Sequence, residues 1–190
     1  MSRNTRSARV TAAQASQNLY AQLRAGFPED LDQVAVETAD AGRAVLCYSW
    51  RDLDRASAML ANLLLSLDLP QGSRIAAQVD KSVEGMLLYL ATLRAGHVYL
   101  PLNTAYQSAE LEYFLQDAQP AVLVCSARQF GWVSKIAFKA GTRHCFTLDD
   151  QRGGSLLQRA AHFGDRQEPV ARGSEDLAAI LYTSGTTGRS

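Results

Sequence analysis

Residues 74–102 read RIAAQVDKSVEGMLLYLATLRAGHVYLPL, and this stretch predicts a strand, a helix and a second extended segment in succession. Ser82 can cap the helix at its start, where a side-chain oxygen can accept from an unpaired backbone N–H. Gly96 comes just past the end of the helix, where a left-handed residue is favoured. Residues 98–102 are extended, but Pro101 argues against a central strand because proline has no N–H to donate.

The same alternation of strands and helices covers the chain from residue 34 onward. Two runs of strand-forming residues flank Asp40 and Gly42 and predict a hairpin. Ser49 and Asp52 then form a capping box before a helix whose leucines recur at helical spacing. The predicted elements are, in chain order, strands 34–38 and 45–48, a helix from 49, strand 74–79, a helix ending at 95, the extended segment 98–102, helix 108–118, strand 121–125, a helix through 132–138, strand 144–148, helix 156–162 and strand 177–182. We therefore predict an α/β domain with a largely parallel sheet flanked by helices.

Composition excludes several classes of function. Lys plus Arg and Asp plus Glu both total 19, which gives no case for a nucleic-acid partner. Cys47, Cys125 and Cys145 are far apart and form no Cys-x-x-Cys pair, so neither a disulfide framework nor a zinc site is predicted. No stretch approaches the length of about 18 apolar residues that a membrane span needs.

The start of the chain is basic. Residues 1–28 contain four arginines and no acidic residue. We interpret residues 1–16 as a flexible basic leader and residues 17–190 as the partial N-terminal subdomain of a larger enzyme. An organelle transit peptide is the alternative, since such peptides are rich in arginine and poor in acids. The expected location is therefore the cytoplasm, with the mitochondrion as the alternative.

The chemically informative motif is a run of hydroxyl residues and glycines that directly follows the predicted strand 177–182. In open α/β sheets, ligands bind at the carboxyl ends of the strands. Glycines let backbone amides approach a ligand, and hydroxyls add donors without charge, which is what a polyphosphate requires. The candidate phosphate-binding residues are Thr183, Ser184, Gly185, Thr186, Thr187 and Gly188.

Other phosphate and nucleophile motifs do not fit this run. A Walker-type loop needs four residues between its glycines and a following lysine, but only two residues separate Gly185 from Gly188. A nucleophile elbow needs glycines two residues before and after the serine, and Tyr182 and Thr186 hold those places around Ser184. Composition alone does not exclude the alternative that this run is a solvated linker.

Three segments together resemble the adenylate-forming superfamily, which includes acyl-CoA synthetases, peptide-synthetase adenylation domains and luciferases. Residues 181–188 resemble its phosphate loop, residues 93–103 its helix–glycine–strand–proline signature, and residues 48–53 an early helix start. The resemblance covers about residues 17–190 and implies the front part of the large N-terminal domain of such an enzyme. Residues 100–106 and 110–118 are most similar to malonyl-CoA synthetases.

This resemblance implies an ATP-dependent ligase that converts malonate or methylmalonate to its CoA thioester through an acyl-adenylate. ATP, Mg²⁺ and coenzyme A would be required, and the chain would be truncated within its phosphate-binding loop. The family's catalytic lysine and acidic magnesium ligand have no counterpart here, because Lys81, Lys135 and Lys139 lie in other elements. We therefore expect no catalytic or metal-ligating residue in this chain and no activity from it alone.

Three alternatives stay open. The substrate could be another short-chain carboxylate. The chain could be a non-catalytic module that self-associates through exposed sheet edges, for which the uncharged, strand-prone residues 177–182 are the candidate segment. A peptide-synthetase adenylation domain is the third alternative, and the aliphatic residues 100–106 argue against it.

Overall fold

The structure is a computed structural model in which residues 16–38 and 45–183 are described. Helices and strands alternate along these residues, as the sequence predicts. The elements are α1 (Leu19–Ala25), β1 (Val34–Glu37), β2 (Cys47–Ser49), α2 (Trp50–Leu65), β3 (Arg74–Gln78), α3 (Val83–Arg94), β4 (Val98–Pro101), α4 (Ser108–Ala118), β5 (Val122–Cys125), α5 (Phe130–Lys139), β6 (His144–Thr147) and α6 (Ser155–Ala160). The predicted leader, residues 1–16, falls outside this description except for its last residue.

The centre of the domain is a four-stranded parallel sheet with the order β4-β3-β5-β6. Its strands are covered on both faces, which explains their nearly continuous apolar sequences. Helices α2, α3 and α6 pack on the face that presents Ile75 and Val122, while α4 and α5 pack on the face of Ala76 and Leu123. The predicted largely parallel α/β architecture is confirmed.

The predicted hairpin and the first two helix caps are also confirmed. Strands β1 and β2 pair antiparallel, although Asp40 and Gly42 of the predicted turn lie outside the described residues. The Ser49 hydroxyl accepts from the Asp52 N–H at 3.1 Å, and the Asp52 carboxylate accepts from the Ser49 N–H at 2.8 Å. At α3, the Ser82 hydroxyl accepts from the backbone N–H of the third helical residue.

Gly96 occupies the left-handed conformation that its position after α3 predicts, with φ of +73°. A Cβ at this position would lie 2.9 Å from Cγ1 of Val170. Glycine is therefore required here for two reasons, the backbone angle and the close approach of the segment around Val170.

The prediction of a strand over 177–182 is only partly right, because a single parallel bridge joins Ala179 to Tyr99 of β4. The Tyr99 N–H donates to the Ala178 carbonyl, and the Ile180 N–H donates to the Tyr99 carbonyl, both at 2.9 Å. The next N–H of β4 on this side would belong to residue 101. Because Pro101 has none, the ladder stops after one bridge.

Helix α1 was not predicted, and its stability comes from contacts with distant residues. Tyr20 is fully buried, and its hydroxyl donates to the Asp54 carboxylate at 2.7 Å. The buried Arg94 guanidinium lies over the Tyr20 ring and bonds to Asp54 at 2.9 Å. A helix of seven residues has little stability by itself, so these contacts with Asp54 and Arg94 stabilise it.

Candidate functional site

The candidate site begins at one edge of the sheet, where the parallel strands β3 and β4 end. The bridge at Ala179 places the chain beside β4 and parallel to it, so the next residues leave at this same carboxyl edge. Thr183 is exposed there. The other predicted phosphate-binding residues, Ser184, Gly185, Thr186, Thr187 and Gly188, lie outside the described residues, and their assignment stays a prediction.

Tyr182 attaches the chain to α4 directly before the hydroxyl and glycine run. Its ring centroid lies 4.4 Å from that of Phe114, which in turn lies 4.7 Å from the ring of Tyr106. The Tyr182 hydroxyl donates to Oδ2 of Asp117 at 2.5 Å. Partial burial and this hydrogen bond to a carboxylate raise the pKa of the Tyr182 hydroxyl well above its ordinary value. Sequence spacing gave no sign of this contact, because 65 positions separate the two residues.

The loop between β4 and α4 lies at the same edge and is held by amide side chains. Nε2 of the fully buried Gln78 donates to the Asn103 carbonyl at 3.0 Å. Nε2 of Gln129 donates to the Thr104 carbonyl at 3.3 Å, and the Asn103 side chain accepts from the Ala105 N–H at 2.9 Å. The β4–α4 loop is therefore held in place by hydrogen bonds at this edge of the sheet.

None of the chain's three lysines belongs to the candidate loop. Lys139 pairs with Glu112 at 2.6 Å on the α4–α5 side, and Lys135 is exposed on α5. Lys81 follows the carboxyl end of β3 at the same edge of the sheet, and it lines a different cleft. Among residues 16–38 and 45–183, no group of three or more His, Cys, Asp or Glu side chains could hold a metal ion.

That different cleft, of about 760 Å³, lies between the β1–β2 hairpin and the end of β3. Its most buried polar group is Glu84, 6% exposed, which accepts from the Tyr48 hydroxyl at 2.8 Å and pairs with Arg152 at 3.2 Å. Burial, followed by the Glu84 hydrogen bond, raises the pKa of Tyr48 to about 12. Glu84 is thus satisfied by its neighbours, and the cleft gives no sign of its own that a ligand binds there.

His97 is the most unusual titratable group near the other end of β4. It is 3% exposed, and neither ring nitrogen has a hydrogen-bond partner among the described residues. Burial, assisted by the nearby Arg172, lowers the pKa of His97 to about 4. It lies at the amino end of β4, away from the candidate loop, so its role is in the packing of the domain. No helix in the described part of the chain has the length and apolar character needed to cross a membrane.

Comparison with known families and structures gives a consistent result. The family model described as AMP-binding enzyme matches residues 31–190. The apo structure of MatB from Rhodopseudomonas palustris superposes with a TM-score of 0.83 and 44% sequence identity, over 92% of this chain and 34% of MatB. The ATP-bound structure of the same protein gives 0.84 and 45%, with the same coverage. The chain thus spans about a third of the length of these solved relatives.

Curated relatives include large peptide synthetases. Tyrocidine synthase 1 of Brevibacillus parabrevis is 29% identical over 142 residues, which are 74% of this chain and 12% of the synthase. Bacitracin synthase 3 of Bacillus licheniformis is 34% identical over 142 residues, 74% of this chain and 2% of that protein. The chain therefore corresponds to a small part of each of these relatives.

Proposed function

Since this chain belongs to the AMP-binding enzyme family, we propose that it is the ATP-binding front part of an acid–thiol ligase acting on malonate. Its fold matches the front of the N-terminal domain of adenylate-forming enzymes. The choice of malonate rests on the likeness of residues 100–106 and 110–118 to malonyl-CoA synthetases. The 44–45% identity to MatB, against 29–34% for the peptide synthetases, supports a ligase of the MatB type over a peptide synthetase. Methylmalonate and other short-chain carboxylates are the alternative substrates.

The proposed chemistry has two steps. An oxygen of the malonate carboxylate attacks the α-phosphorus of ATP, the bond to the β-phosphate oxygen breaks, and pyrophosphate leaves. The thiol sulfur of coenzyme A then attacks the acyl carbon of the adenylate, loses its proton, and AMP departs. Mg²⁺ would neutralise phosphate charge, held by the phosphate oxygens of ATP together with water and one or two protein oxygens.

The role of this chain is to bind the β- and γ-phosphates through the candidate loop. Backbone amides at Gly185 and Gly188, with the hydroxyls of Thr183, Ser184, Thr186 and Thr187, offset the negative charge that shifts onto the leaving pyrophosphate. The ATP-bound MatB structure supports the use of ATP by a protein of this type. The two thirds of MatB that lie outside the match to this chain would supply the remaining groups, so we propose that residues 1–190 alone form no thioester.

The experiment that tests this function uses a completed chain, in which residues 1–190 are joined to the corresponding remaining part of R. palustris MatB. Thioester formation from ATP, coenzyme A and each of malonate, methylmalonate, acetate and several amino acids is followed by mass spectrometry. Malonate or methylmalonate should give the highest kcat/KM. About two thirds of the hybrid come from MatB, so any longer native protein that contains residues 1–190 is assayed with the same panel. Selective use of an amino acid by that protein would contradict the proposal.

A second candidate function, self-association, is favoured by the edge next to β4. The Ala178 carbonyl and the Ile180 N–H face β4, so the N–H and C=O of Ala179 face outward and pair with nothing in the described part of the chain. Leu177 and Leu181 are 58% and 69% exposed at this edge. We propose that a second copy of this chain pairs with it about a two-fold axis.

Sedimentation velocity of the 190-residue chain tests this association. The chain should form dimers, and Leu181→Asp should shift it to monomers by placing a charge on the edge. Phe138→Asp is the matched control, because Phe138 is 55% exposed on α5, away from this edge. A monomer at all concentrations, or dimers unaffected by Leu181→Asp, would rule out the edge as the contact.

We propose a cytoplasmic location, with the mitochondrion as the alternative.

A further inference from the structure

The chain loses its backbone contact with the sheet shortly before the candidate loop. Ile180 is the last described residue that bonds to β4 through its backbone, because Pro101 offers no N–H for the next ladder position. Leu181 is 69% exposed and packs against little. The side chain of Tyr182 is therefore the described contact that holds the chain to the domain at the entrance to Thr183.

Both partners of Tyr182 belong to one rigid helix. Phe114 and Asp117 are three residues apart on α4 and so lie on one side of it. Phe114 is 8% exposed, and the helix is fixed to the sheet through the fully buried Leu111 and Leu115. The ring of Phe114 limits where the Tyr182 ring can lie, and the Asp117 carboxylate fixes the direction of its hydroxyl.

We propose that Asp117 and Phe114 are positioning residues for the phosphate-binding loop, acting through Tyr182. This inference rests on the proposed function of the loop in binding ATP, but not on malonate as substrate. Hydrogen-bond donors must be held to within about 0.5 Å of their working geometry to bind or stabilise a phosphate well. A tyrosine fixed at two points, by packing and by a hydrogen bond, gives the following residues a defined origin.

We call the two contacts of Tyr182, its hydrogen bond to Asp117 and its packing on Phe114, the Tyr182 anchor. ATP binding should respond differently to the loss of each contact. Asp117→Ala and Tyr182→Phe each remove the same hydrogen bond, so each should weaken ATP binding about fivefold, the effect of one exposed hydrogen bond. The double variant should be no weaker than either single variant, because the two residues act through one contact. Asp117→Asn keeps an oxygen acceptor and should restore most of the affinity. Tyr182→Leu removes the ring as well and should weaken binding about 10- to 100-fold.

Calorimetric titration of the completed chain with ATP, without any carboxylate, measures these effects. Glu112→Ala is the matched control, since it removes an exposed ion pair with Lys139 from the same helix and does not touch Tyr182. Thermal unfolding of each variant shows whether it is folded at the titration temperature. The malonate-dependent reaction is assayed separately, so a wrong substrate and a wrong anchor give different results.

The decisive comparison is between ATP affinity and folding. Weaker ATP binding by folded Asp117→Ala, with recovery in Asp117→Asn and none of the effect in Glu112→Ala, supports the positioning role. Unchanged ATP affinity in both Asp117→Ala and Tyr182→Leu would overturn it and leave the contact a structural one. Failure of the unsubstituted completed chain to bind ATP would overturn the phosphate-loop assignment and the anchor together.

Discussion

Burial of His97 should make the stability of this domain fall between neutral and mildly acidic pH. An unfolded chain binds a proton at a histidine below about pH 6.5, whereas the folded chain binds one at His97 only below about pH 4. Between these values the unfolded state holds more protons, so the free energy of unfolding decreases as the pH decreases. The difference in proton affinity corresponds to about 3 kcal/mol, of which about 2 kcal/mol should be lost between pH 7 and pH 5.

Urea denaturation at pH 5, 6 and 7 measures this loss, and the variant His97→Gln isolates its source. Gln cannot titrate, so the variant should lose about 2 kcal/mol less than the original chain between pH 7 and pH 5. His162→Gln replaces an exposed histidine outside the core and is the matched control for the substitution itself. Identical pH dependence in the original chain and in His97→Gln, or a ring titration of His97 near pH 6.5 by NMR, would refute the reasoning.

Three further substitutions test the loop, the turn before β4 and the contacts of α1. In the completed chain, Gly185→Val should abolish malonate-dependent adenylation without unfolding the protein. Gly164→Val, at an exposed site with no neighbour within 4 Å, should retain adenylation. Equal activities of the two variants in a coupled pyrophosphate assay would count against the phosphate-binding role of the loop. Gly96→Ala should lower the free energy of unfolding, measured in urea, by about 1–3 kcal/mol because of the positive φ at residue 96 and the 2.9 Å contact with Val170. Gly131→Ala in α5 should not lower it. An unchanged free energy of unfolding in Gly96→Ala would show that the segment around Val170 moves to make room. Asp54→Ala should lower the free energy of unfolding in urea by about 3 kcal/mol, because it leaves the buried Arg94 charge without its carboxylate partner. A loss below about 1 kcal/mol would contradict this role of Asp54.

Local sequence signals predicted those parts of the fold that depend on local chemistry. The caps at Ser49 and Ser82 and the glycine at 96 act within one turn of their helix ends, and the structure contains all three. The parallel sheet followed from alternating strands and helices, because a helical crossover returns the chain in the same direction. These features need no knowledge of distant residues.

The features that the sequence did not predict all involve contacts between distant positions. Helix α1 depends on Asp54 and Arg94, and no periodicity within residues 19–25 announces that pairing. Pro101 was correctly read as unfavourable for a central strand, but its effect on the partner at 177–182 required the register of the two segments. The attachment of Tyr182 to Asp117 was missed for the same reason.

The candidate loop is where sequence contributes most and structure least. Its composition and the family resemblance predict that Thr183 through Gly188 bind phosphate, while the structure describes only Thr183 and the approach to it. What the structure adds is the location of that approach, at the carboxyl edge of a parallel sheet, and the contacts that hold it.

Malonate-dependent exchange of pyrophosphate into ATP by the completed chain tests the central claim most directly, because exchange reports the adenylation step without coenzyme A. Exchange should require malonate and both parts of the completed chain, residues 1–190 and the part from MatB. It should be lost in Gly185→Val and kept in the Gly164→Val control. Exchange that persists unchanged in Gly185→Val would contradict the claim that this chain supplies the phosphate-binding loop.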